Sequence, residues 1–434
     1  MLDALGIDDI GDLFEPIPEA LRLAEDLDVP PALSEPELLA HLGDLAARNR
    51  GAAELKCFAG GGAYDHHVPS AVRALASRAE FATSYTPYQP ELAQGVLQAV
   101  FEFQSLVCEL YGLEAANASL YDGASALVEA ANLTVRVTKR ERLLVGGTVH
   151  PHYIDMLRTV TSGLGLDVEV VPFGGDGVVD WSSVNAEGAA AVIVAYPNFF
   201  GRLEDVETAC DVAHAAGALA VAVTDPTAMG VLRSPGAAGV DVAVGEGHAF
   251  GNPLMYGGPY VGLFATRQEF VRQIPGRIAG ETLDADGRRA YVLTLQAREQ
   301  HIRRAKATSN VCTNQTLMAI AATVHLGWLG PRGLQRLGEI CVRRTALAAA
   351  RLGEIPGCRV AFAGPHFKEI VLETPMDAAE LGGRLARRGF LCGPPLGRWW
   401  DDLSTCLLIA VTERRTEGDI FGLAEAIEKE LAER

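Results

Sequence analysis

Between about residues 100 and 265, short apolar segments alternate with stretches of helical periodicity. The apolar segments are continuous rather than alternating in polarity, which is typical of strands buried on both faces of a sheet. Helices must cover both faces of such a sheet, so the pattern predicts an α/β domain with a mainly parallel, seven-stranded sheet. The segments that predict its strands are ASLYD, RLLVG, VEVVP, AAVIVAY, ALAVAVT, DVAVG and YVGLFA.

The pattern changes after this region. Three stretches predict helices, namely RRAYVLTLQAREQHIRRA, TNQTLMAIAATVHLGWL and RGLQRLGEICVRRTALAAARLGEI. A smaller pattern follows, in which CRVAFA, FKEIVLET and TCLLIAV predict strands, DAAELGGRLARRG predicts a helix, and a last helix begins near Glu417.

The first 60 residues are acidic, helix-like and interrupted by prolines, which indicates an arm of short helices that lies on another surface. We therefore predict three parts: a helical arm over 1–65, a large α/β domain over 66–329, and a small C-terminal α+β domain over 330–434.

Composition narrows the possible partners. The chain has 434 residues, 49% of them hydrophobic, and a formal net charge of −18. A nucleic-acid partner is not expected, because binding phosphates requires a basic surface. The N-terminus has no basic leader region and no apolar run approaches a membrane span, which predicts a cytoplasmic protein that does not enter a membrane. Eight cysteines stand singly, so we expect reduced thiols and no metal site.

Candidate binding residues follow the predicted strands, because ligands of open α/β sheets bind at the carboxyl ends of the strands. Gly123, Ala124 and Ser125 open a helix whose free N–H groups are suited to a phosphate. The alternative is a simple N-cap by Asp122 or Ser125, and it stays open.

Three further strand ends carry polar side chains. His150 is either structural or suited to stack on a planar cofactor ring. Asn198 lies in a turn, and Asp225 emerges from an apolar strand, where a carboxylate needs a partner such as a protonated pyridine nitrogen. This order of residues is similar to the aspartate-aminotransferase-like fold, which is fold type I of the pyridoxal phosphate (PLP) transferases. The Schiff-base lysine of that fold follows the sixth strand, where this chain has Gly247 and His248 in the segment GEGHAFG.

Longer segments resemble one family. FAGGGAYDHHVPSAV, SYTPYQPELAQGVLQAVFEFQ, GRIAGETLDADGRRAYVLTLQAREQHIRRAKATSNVCTNQ and FGNPLMYGGPYVG are similar to the P-protein of the glycine cleavage system, glycine dehydrogenase (decarboxylating). The resemblance covers essentially the whole chain. The length and the missing lysine correspond to the subunit 1 type of the split bacterial form.

The resemblance implies a function shared with a second chain. A lysine-bearing subunit 2 would hold PLP covalently, and the two chains would form an α2β2 heterotetramer. Together they would decarboxylate glycine and transfer the aminomethyl group to the lipoyl group of the H protein. This chain would have no catalytic lysine and would be inactive alone.

The seam with that partner has two candidate segments. The motif YTPYQPE supplies Tyr85, Thr86, Tyr88, Gln89 and Glu91 in a loop stiffened by two prolines, and these side chains are expected to line the partner's active site. The alternative is a packed structural elbow. Tyr64 and His66 form the second candidate.

A basic segment, RRAKATSN, follows the predicted helices of the large domain. Arg304, Lys306, Ser309 and Asn310 predict a hydrogen-bonded junction at an interface or an anion site, with a solvated helix end as the alternative. Two other functions stay open at this point: a self-sufficient fold-type-I lyase or aminotransferase with an unrecognised lysine, and a purely structural partner of subunit 2.

Overall fold

A seven-stranded sheet organises most of the chain. The computed structural model describes residues 1–23, 25, 27–51, 54–82 and 86–433. Its strands are β1 Lys56–Ala59, β2 Ala115–Ala116, β3 Arg142–Gly146, β4 Asp167–Val171, β5 Ala189–Tyr196, β6 Leu219–Thr224, β7 Val242–Glu246, β8 Gly262–Thr266, β9 Ile278–Leu283, β10 Arg289–Thr294, β11 Arg359–Val360, β12 Glu369–Glu373, β13 Phe390–Gly393 and β14 Cys406–Ala410. Its helices are α1 Leu2–Leu5, α2 Glu35–Ala46, α3 Ser70–Ala76, α4 Ala79–Ala82, α5 Gln94–Tyr111, α6 Gly123–Thr138, α7 Pro151–Ser162, α8 Val206–Ala215, α9 Gln300–Arg303, α10 Thr316–Gly353, α11 Ala378–Arg387 and α12 Glu417–Ala432.

The residues group into two units, Met1–Gly51 and Ala52–Arg434. The first unit contains α1 and α2 and no buried residue among those described. Helix α2 begins with a capping box, in which the Glu37 carboxylate accepts the Ser34 backbone N–H at 2.9 Å. The predicted domain boundaries at 65 and 329 stay predictions.

The large sheet has the strand order β2-β8-β7-β6-β5-β3-β4. Strands β3 to β7 pair in parallel, whereas β8 pairs antiparallel with β7 and with β2. The central strands are buried on both faces, and two apolar clusters cover the two sides. The predicted mainly parallel, seven-stranded α/β sheet is confirmed, and its carboxyl edge is where a binding site is expected.

The C-terminal part builds a second, smaller layer. Strands β11, β12 and β14 form an antiparallel sheet, on which α11 and α12 pack through a separate apolar cluster. Strand β1 joins this part from the other end of the sequence, because Lys56–Ala59 pairs in parallel with Phe390–Gly393. Neither β1 nor β13 was predicted.

Two predicted elements are wrong. The segment ASLYD is not a strand: Ser119 has φ 114 and Leu120 makes only an isolated bridge to Gly262, so the seventh strand is instead the short β2. The continuous helix predicted over RRAYVLTLQAREQHIRRA does not form: its first part is strand β10, paired with β9 in a hairpin, and its second part contains only short helical turns, α9 among them. The hairpin turn has Gly287 at φ 76 and a hydrogen bond from the Asp284 N–H to the Arg288 carbonyl at 2.8 Å.

Two kinds of feature are absent from the described residues. No helix in these ranges is both long and apolar enough to cross a membrane. The same ranges contain no group of three or more His, Cys, Asp or Glu side chains that could hold a metal ion.

Candidate functional site

A cavity of about 70 Å³ lies at the carboxyl edge of the large sheet. It brings together four residues that the sequence predicted for one pocket, namely His150, Asn198, Asp225 and His248. It also includes side chains that sequence reasoning did not place there. These are Tyr64, Tyr153, Glu246 and Lys368.

Asp225 follows β6 and is paired with a lysine from the C-terminal part. Its Oδ2 lies 2.5 Å from Nζ of Lys368, whose side chain is only 1% exposed. Its Oδ1 accepts both the backbone N–H of Thr227 at 3.0 Å and the Thr227 hydroxyl at 2.6 Å. Burial acts to raise the pKa of Asp225, but the Lys368 charge outweighs it and holds the pKa below its ordinary value. The carboxylate is therefore ionised and fully partnered.

The Lys368 ammonium has contacts on its other sides as well. It lies 3.5 Å from the centre of the Tyr64 ring, and Nε2 of His66 is 3.2 Å away. An ammonium can only donate, so Nε2 of His66 accepts and its Nδ1–H donates to Glu413 at 2.7 Å. Asp225, Lys368, His66 and Glu413 are therefore linked in this order by an ion pair and two hydrogen bonds.

The loop after β1 carries Tyr64 and His66, and both side chains point toward Lys368 and Glu369. Tyr64 donates its hydroxyl to Glu369 at 2.9 Å and its ring lies against Lys368. His66 is buried. The structure places both residues against this chain's own pocket, and their expected part in the partner's active site stays a prediction.

The N-terminus of α6 is occupied by a carboxyl group from β7. The Gly123 N–H donates to Oε2 of Glu246 at 3.0 Å. The other oxygen, Oε1, accepts the N–H groups of His248 at 2.9 Å and Val261 at 3.2 Å. Burial raises the pKa of Glu246 to about 8, against the opposing effect of these three donors.

The remaining predicted residues of this helix have local roles. Asp122 caps α6 by accepting the Ser125 N–H at 2.7 Å, which is the N-cap alternative left open by the sequence. Ala124 lies in the first turn of the helix and is half-buried. A β-carbon at Gly123 would lie 2.3 Å from the Tyr153 hydroxyl, so the space in front of the helix is filled.

His248 lies in the loop after β7, where the sequence predicts the position of the fold's lysine. It follows β7, is buried, and accepts the Tyr64 N–H at Nε2 over 3.2 Å. Burial lowers the pKa of His248 to about 3, so the ring is neutral at pH 7. The adjacent Gly247 donates its N–H to the Val261 carbonyl at 2.8 Å and continues the edge of the sheet.

His150 and Asn198 are held by other parts of the protein. Nε2 of His150 lies 2.7 Å from the Gly61 carbonyl, and its ring stacks on Tyr153 at 5.0 Å. Burial lowers the pKa of His150 to about 4. The Asn198 amide group donates to the Gly177 carbonyl and to Glu204, at 2.7 and 2.8 Å, so Asn198 organises its own turn.

The pocket does not fit pyridoxal phosphate. Binding pockets for small molecules generally enclose about 300–1,000 Å³, several times the 70 Å³ present here. Asp225 is already paired, the N–H of Gly123 is already bonded, and His248 cannot form a Schiff base.

The predicted seam segment lies elsewhere and is largely exposed. Tyr85 lies outside the described residues. Tyr88 is 56% exposed, and its hydroxyl accepts a hydrogen bond from Arg277 at 2.8 Å while the guanidinium lies 5.2 Å from the ring centre. Gln89 and Glu91 are exposed, whereas the hydroxyl oxygen of Thr86 is buried without a hydrogen-bond partner in the described part of the chain.

The predicted basic segment is also on the surface. Arg304 and Lys306 are exposed in a short turn after α9, and neither lines the pocket. Ser309 accepts the Val311 N–H at 3.0 Å, and Asn310 is exposed. An interface or anion role for these residues stays a prediction.

Sequence reasoning missed the side chains that fill the pocket. Lys368 and Glu369 are adjacent and precede an apolar strand, so two opposite charges enter a buried position together. That local pattern was a usable signal, since buried charges require partners. The identity of those partners depends on tertiary contacts and is not visible in the pattern.

The fold and the pocket identify the structural class of the protein. The molecule has the aspartate-aminotransferase-like architecture of fold type I, and residues 247–252, directly after β7, include His248 and no lysine. A sphingosine-1-phosphate lyase of Burkholderia pseudomallei K96243 has the same fold, with a TM-score of 0.68 at 16% identity over 96% of this chain and 95% of that one.

The family follows from closer similarities. The model of the glycine cleavage system P-protein family matches residues 1–427, and the chain belongs to this family. A probable glycine dehydrogenase (decarboxylating) subunit 1 of Desulforamulus reducens is 47% identical over 426 residues, covering 98% of this chain and 96% of that protein. A crystal structure of glycine decarboxylase (P-protein) in inhibitor-bound form has a TM-score of 0.93 at 45% identity, covering 99% and 97%. The predicted family is thereby confirmed, and the chain is an enzyme subunit of the glycine cleavage system.

Proposed function

We propose that this chain is the lysine-free subunit of glycine decarboxylase and completes the active site of a lysine-bearing subunit 2. The observation that carries the proposal is the pocket itself: the fold is retained, yet His248 replaces the lysine and the cofactor position is filled. A relative 47% identical over 426 residues bears the name subunit 1, which supports a second subunit in the working enzyme.

The proposed reaction joins glycine to the lipoyl group of the H protein. PLP, held covalently by subunit 2, supplies the electron sink for the decarboxylation. The bond between the glycine α-carbon and its carboxyl group breaks and CO₂ leaves. The bonding electron pair reduces the lipoyl disulfide, so that the aminomethyl carbon bonds to one sulfur and the other sulfur takes a proton. Two chains of each type, α2β2, form the proposed assembly.

The seam segment is this chain's proposed contribution to that site. Tyr88 presents an aromatic ring backed by the buried Arg277, and Glu91 presents an exposed carboxylate in a segment stiffened by prolines. These groups are on the surface of the isolated chain and are available to a partner. In the proposal they bind and orient substrate in the partner's pocket.

The alternatives receive less support. A self-sufficient fold-type-I enzyme needs a lysine with a free amine. Lys368 lines the pocket, but its ammonium is held by Asp225, and the exposed Lys306 lies outside the pocket. A purely structural partner differs from the proposal only in whether the seam side chains reach the substrate.

The proposal is tested by reconstitution. The chain alone, mixed with PLP, is expected to form no borohydride-reducible lysine adduct in its pocket and to catalyse no exchange of CO₂ with the glycine carboxyl group. Addition of subunit 2 and H protein is expected to produce exchange. An adduct on a pocket lysine together with exchange by the chain alone would show a self-sufficient enzyme instead.

The Glu91→Gln variant tests the seam. We expect it to lower kcat/KM for glycine–CO₂ exchange in the complex by about tenfold or more, because a positioned carboxylate is lost. Glu187→Gln is the control. Glu187 is exposed in the loop before β5, at the amino edge of the parallel strands, whereas the pocket lies at their carboxyl edge. Both complexes should have the wild-type mass. Exchange within about twofold of wild type would favour the structural role.

A further inference from the structure

Two side chains of this chain bind the groups that the sequence predicts for the two polar ends of a PLP cofactor, namely the Gly123 N–H and the Asp225 carboxylate. We propose that Lys368 stands in for the pyridinium and Glu246 for the phosphate, so that the pocket is filled by the protein itself, excludes the cofactor, and serves as a fixed joint between the sheet and the C-terminal part. The inference concerns this chain's own pocket and does not depend on the proposed function.

The pyridinium end is occupied by an ammonium group. A protonated ring nitrogen would offer Asp225 one positive charge and one N–H donor, and Lys368 offers both at 2.5 Å. The other carboxylate oxygen is used by the two Thr227 donors at 3.0 and 2.6 Å. Both oxygens of the Asp225 carboxylate are therefore satisfied by Lys368 and Thr227.

The phosphate end is occupied by a carboxyl group. The Gly123 N–H, at the start of α6, donates to Glu246 at 3.0 Å, so this N–H is already used and is not available to a phosphate oxygen. The rest of the space is closed by Tyr153 and by Glu246 itself, which lie 2.3 and 3.1 Å from where a β-carbon of residue 123 would stand. A phosphate could enter only by displacing Glu246.

The remaining cavity agrees with this occupancy. Its 70 Å³ is room for a few water molecules and not for a ring with two charged substituents. The wall that would stack on such a ring, His150, lies against Tyr153 and donates to the Gly61 carbonyl. Each polar feature inherited from the fold has an internal partner.

The filled pocket joins three distant segments. Lys368 directly precedes β12, which Glu369 begins, and the Lys368 ammonium reaches Asp225, the residue after β6. Glu369 accepts the Gly61 N–H at 2.7 Å and the Tyr64 hydroxyl at 2.9 Å. The adjacent opposite charges therefore fasten the C-terminal part both to the sheet and to the loop after β1.

The first test is ligand binding to the full-length chain. Pyridoxamine 5′-phosphate is the probe, because it lacks the aldehyde that would react with surface lysines, and its fluorescence reports binding. The wild-type chain is expected to show no saturable binding up to about 1 mM. The Lys368→Ala/Glu246→Ala variant is expected to bind at least about tenfold more tightly than this limit.

The same titration is carried out with a control variant. Lys429→Ala/Glu187→Ala makes the same two residue changes at exposed positions and should behave as wild type. Saturable wild-type binding as tight as that of the pocket variant would overturn the proposal. A folded pocket variant that binds no probe would overturn it too, because the two side chains would then not be what excludes the cofactor.

A second measurement covers the case in which the pocket variant does not fold. Lys368→Met and Asp225→Asn are each expected to raise the unfolding equilibrium constant by about 100-fold or more, since each leaves a buried group without its partner. For the variant with both changes, the unfolding equilibrium constant is expected to be at least about tenfold lower than the value obtained by multiplying the two single-variant factors. Additive effects would show that the two groups are not coupled and would overturn the proposal.

Discussion

Replacement of Gly201 by alanine is expected to lower the free energy of unfolding by about 4 kcal/mol or more. The alanine β-carbon would lie 2.2 Å from the carbonyl oxygen of Glu369 and 2.7 Å from its carbonyl carbon, and Gly201 has φ 76. These are backbone atoms, and the segment is held close by the hydrogen bond from the Phe367 N–H to the Gly201 carbonyl at 2.9 Å. Relief of the clash would pull Lys368 away from Asp225.

Gly188→Ala is the matched control for this variant. Gly188 has nearly the same conformation, φ 73, but no atom within 4 Å of the added β-carbon. It therefore carries only the strain of the left-handed conformation, about 1–2 kcal/mol. Urea unfolding of both variants measures the difference. Equal losses would mean that the approach of the turn to Glu369 does not constrain the pocket.

The second large effect is a fall in stability with rising pH caused by Glu246. Burial raises the pKa of Glu246 to about 8 from its ordinary value of 4.5. Between these values the folded chain keeps a proton that the unfolded chain has released, so Glu246 makes the free energy of unfolding fall by about 1.4 kcal/mol for each unit of rising pH. Its contribution is fully present below about pH 4.5 and is lost through about pH 8.

Other buried titratable groups determine the pH interval in which the contribution of Glu246 to the free energy of unfolding is best measured. Burial lowers the pKa of His150 to about 4 and of His248 to about 3, so their contributions are lost as the pH falls below about 6.5 and act in the opposite direction. Burial also raises the pKa of Glu369 to about 7, which adds to the effect of Glu246. The interval from about pH 6.5 to 8 is therefore the one in which the buried carboxyl groups dominate.

Comparison of wild type with Glu246→Gln isolates the contribution. Over this interval the difference between their free energies of unfolding is expected to change by about 1.4 kcal/mol per pH unit, in favour of the variant at high pH. Glu187→Gln, at an exposed position, should keep the wild-type slope. Parallel profiles for wild type and Glu246→Gln would contradict a pKa raised by burial.

The sheet could be predicted from the sequence where burial alone decides the pattern. The strands around Val192 and Val244 are continuously apolar because both faces are covered, and the structure confirms them. The region around Tyr291 was predicted as helix, whereas it forms strand β10. The turn ending at Gly287 decides for a hairpin, and the Asp286-Gly287 pair was the signal that the prediction overlooked.

The site could be predicted only for residues at strand ends. His150, Asn198, Asp225 and His248 meet in one pocket because parallel strands end at one edge, so local sequence was sufficient. Lys368 was missed because it comes from outside the sheet, and its partner Asp225 is distant in the sequence. What a buried charge pairs with depends on how the C-terminal part packs, which no local pattern records.

The pairing of β1 with β13 has a consequence for the order of events during synthesis. Strand β1 and the loop after it form hydrogen bonds with residues far along the chain. The Gly61 N–H, for example, donates to Glu369, which is 308 positions later. An emerging chain therefore has β1 without its neighbouring strand until residues 390–393 are made, and the pocket cannot close before Lys368 is made. A chain that ends before β13 would leave β1 unpaired and expose this strand to proteolysis and aggregation.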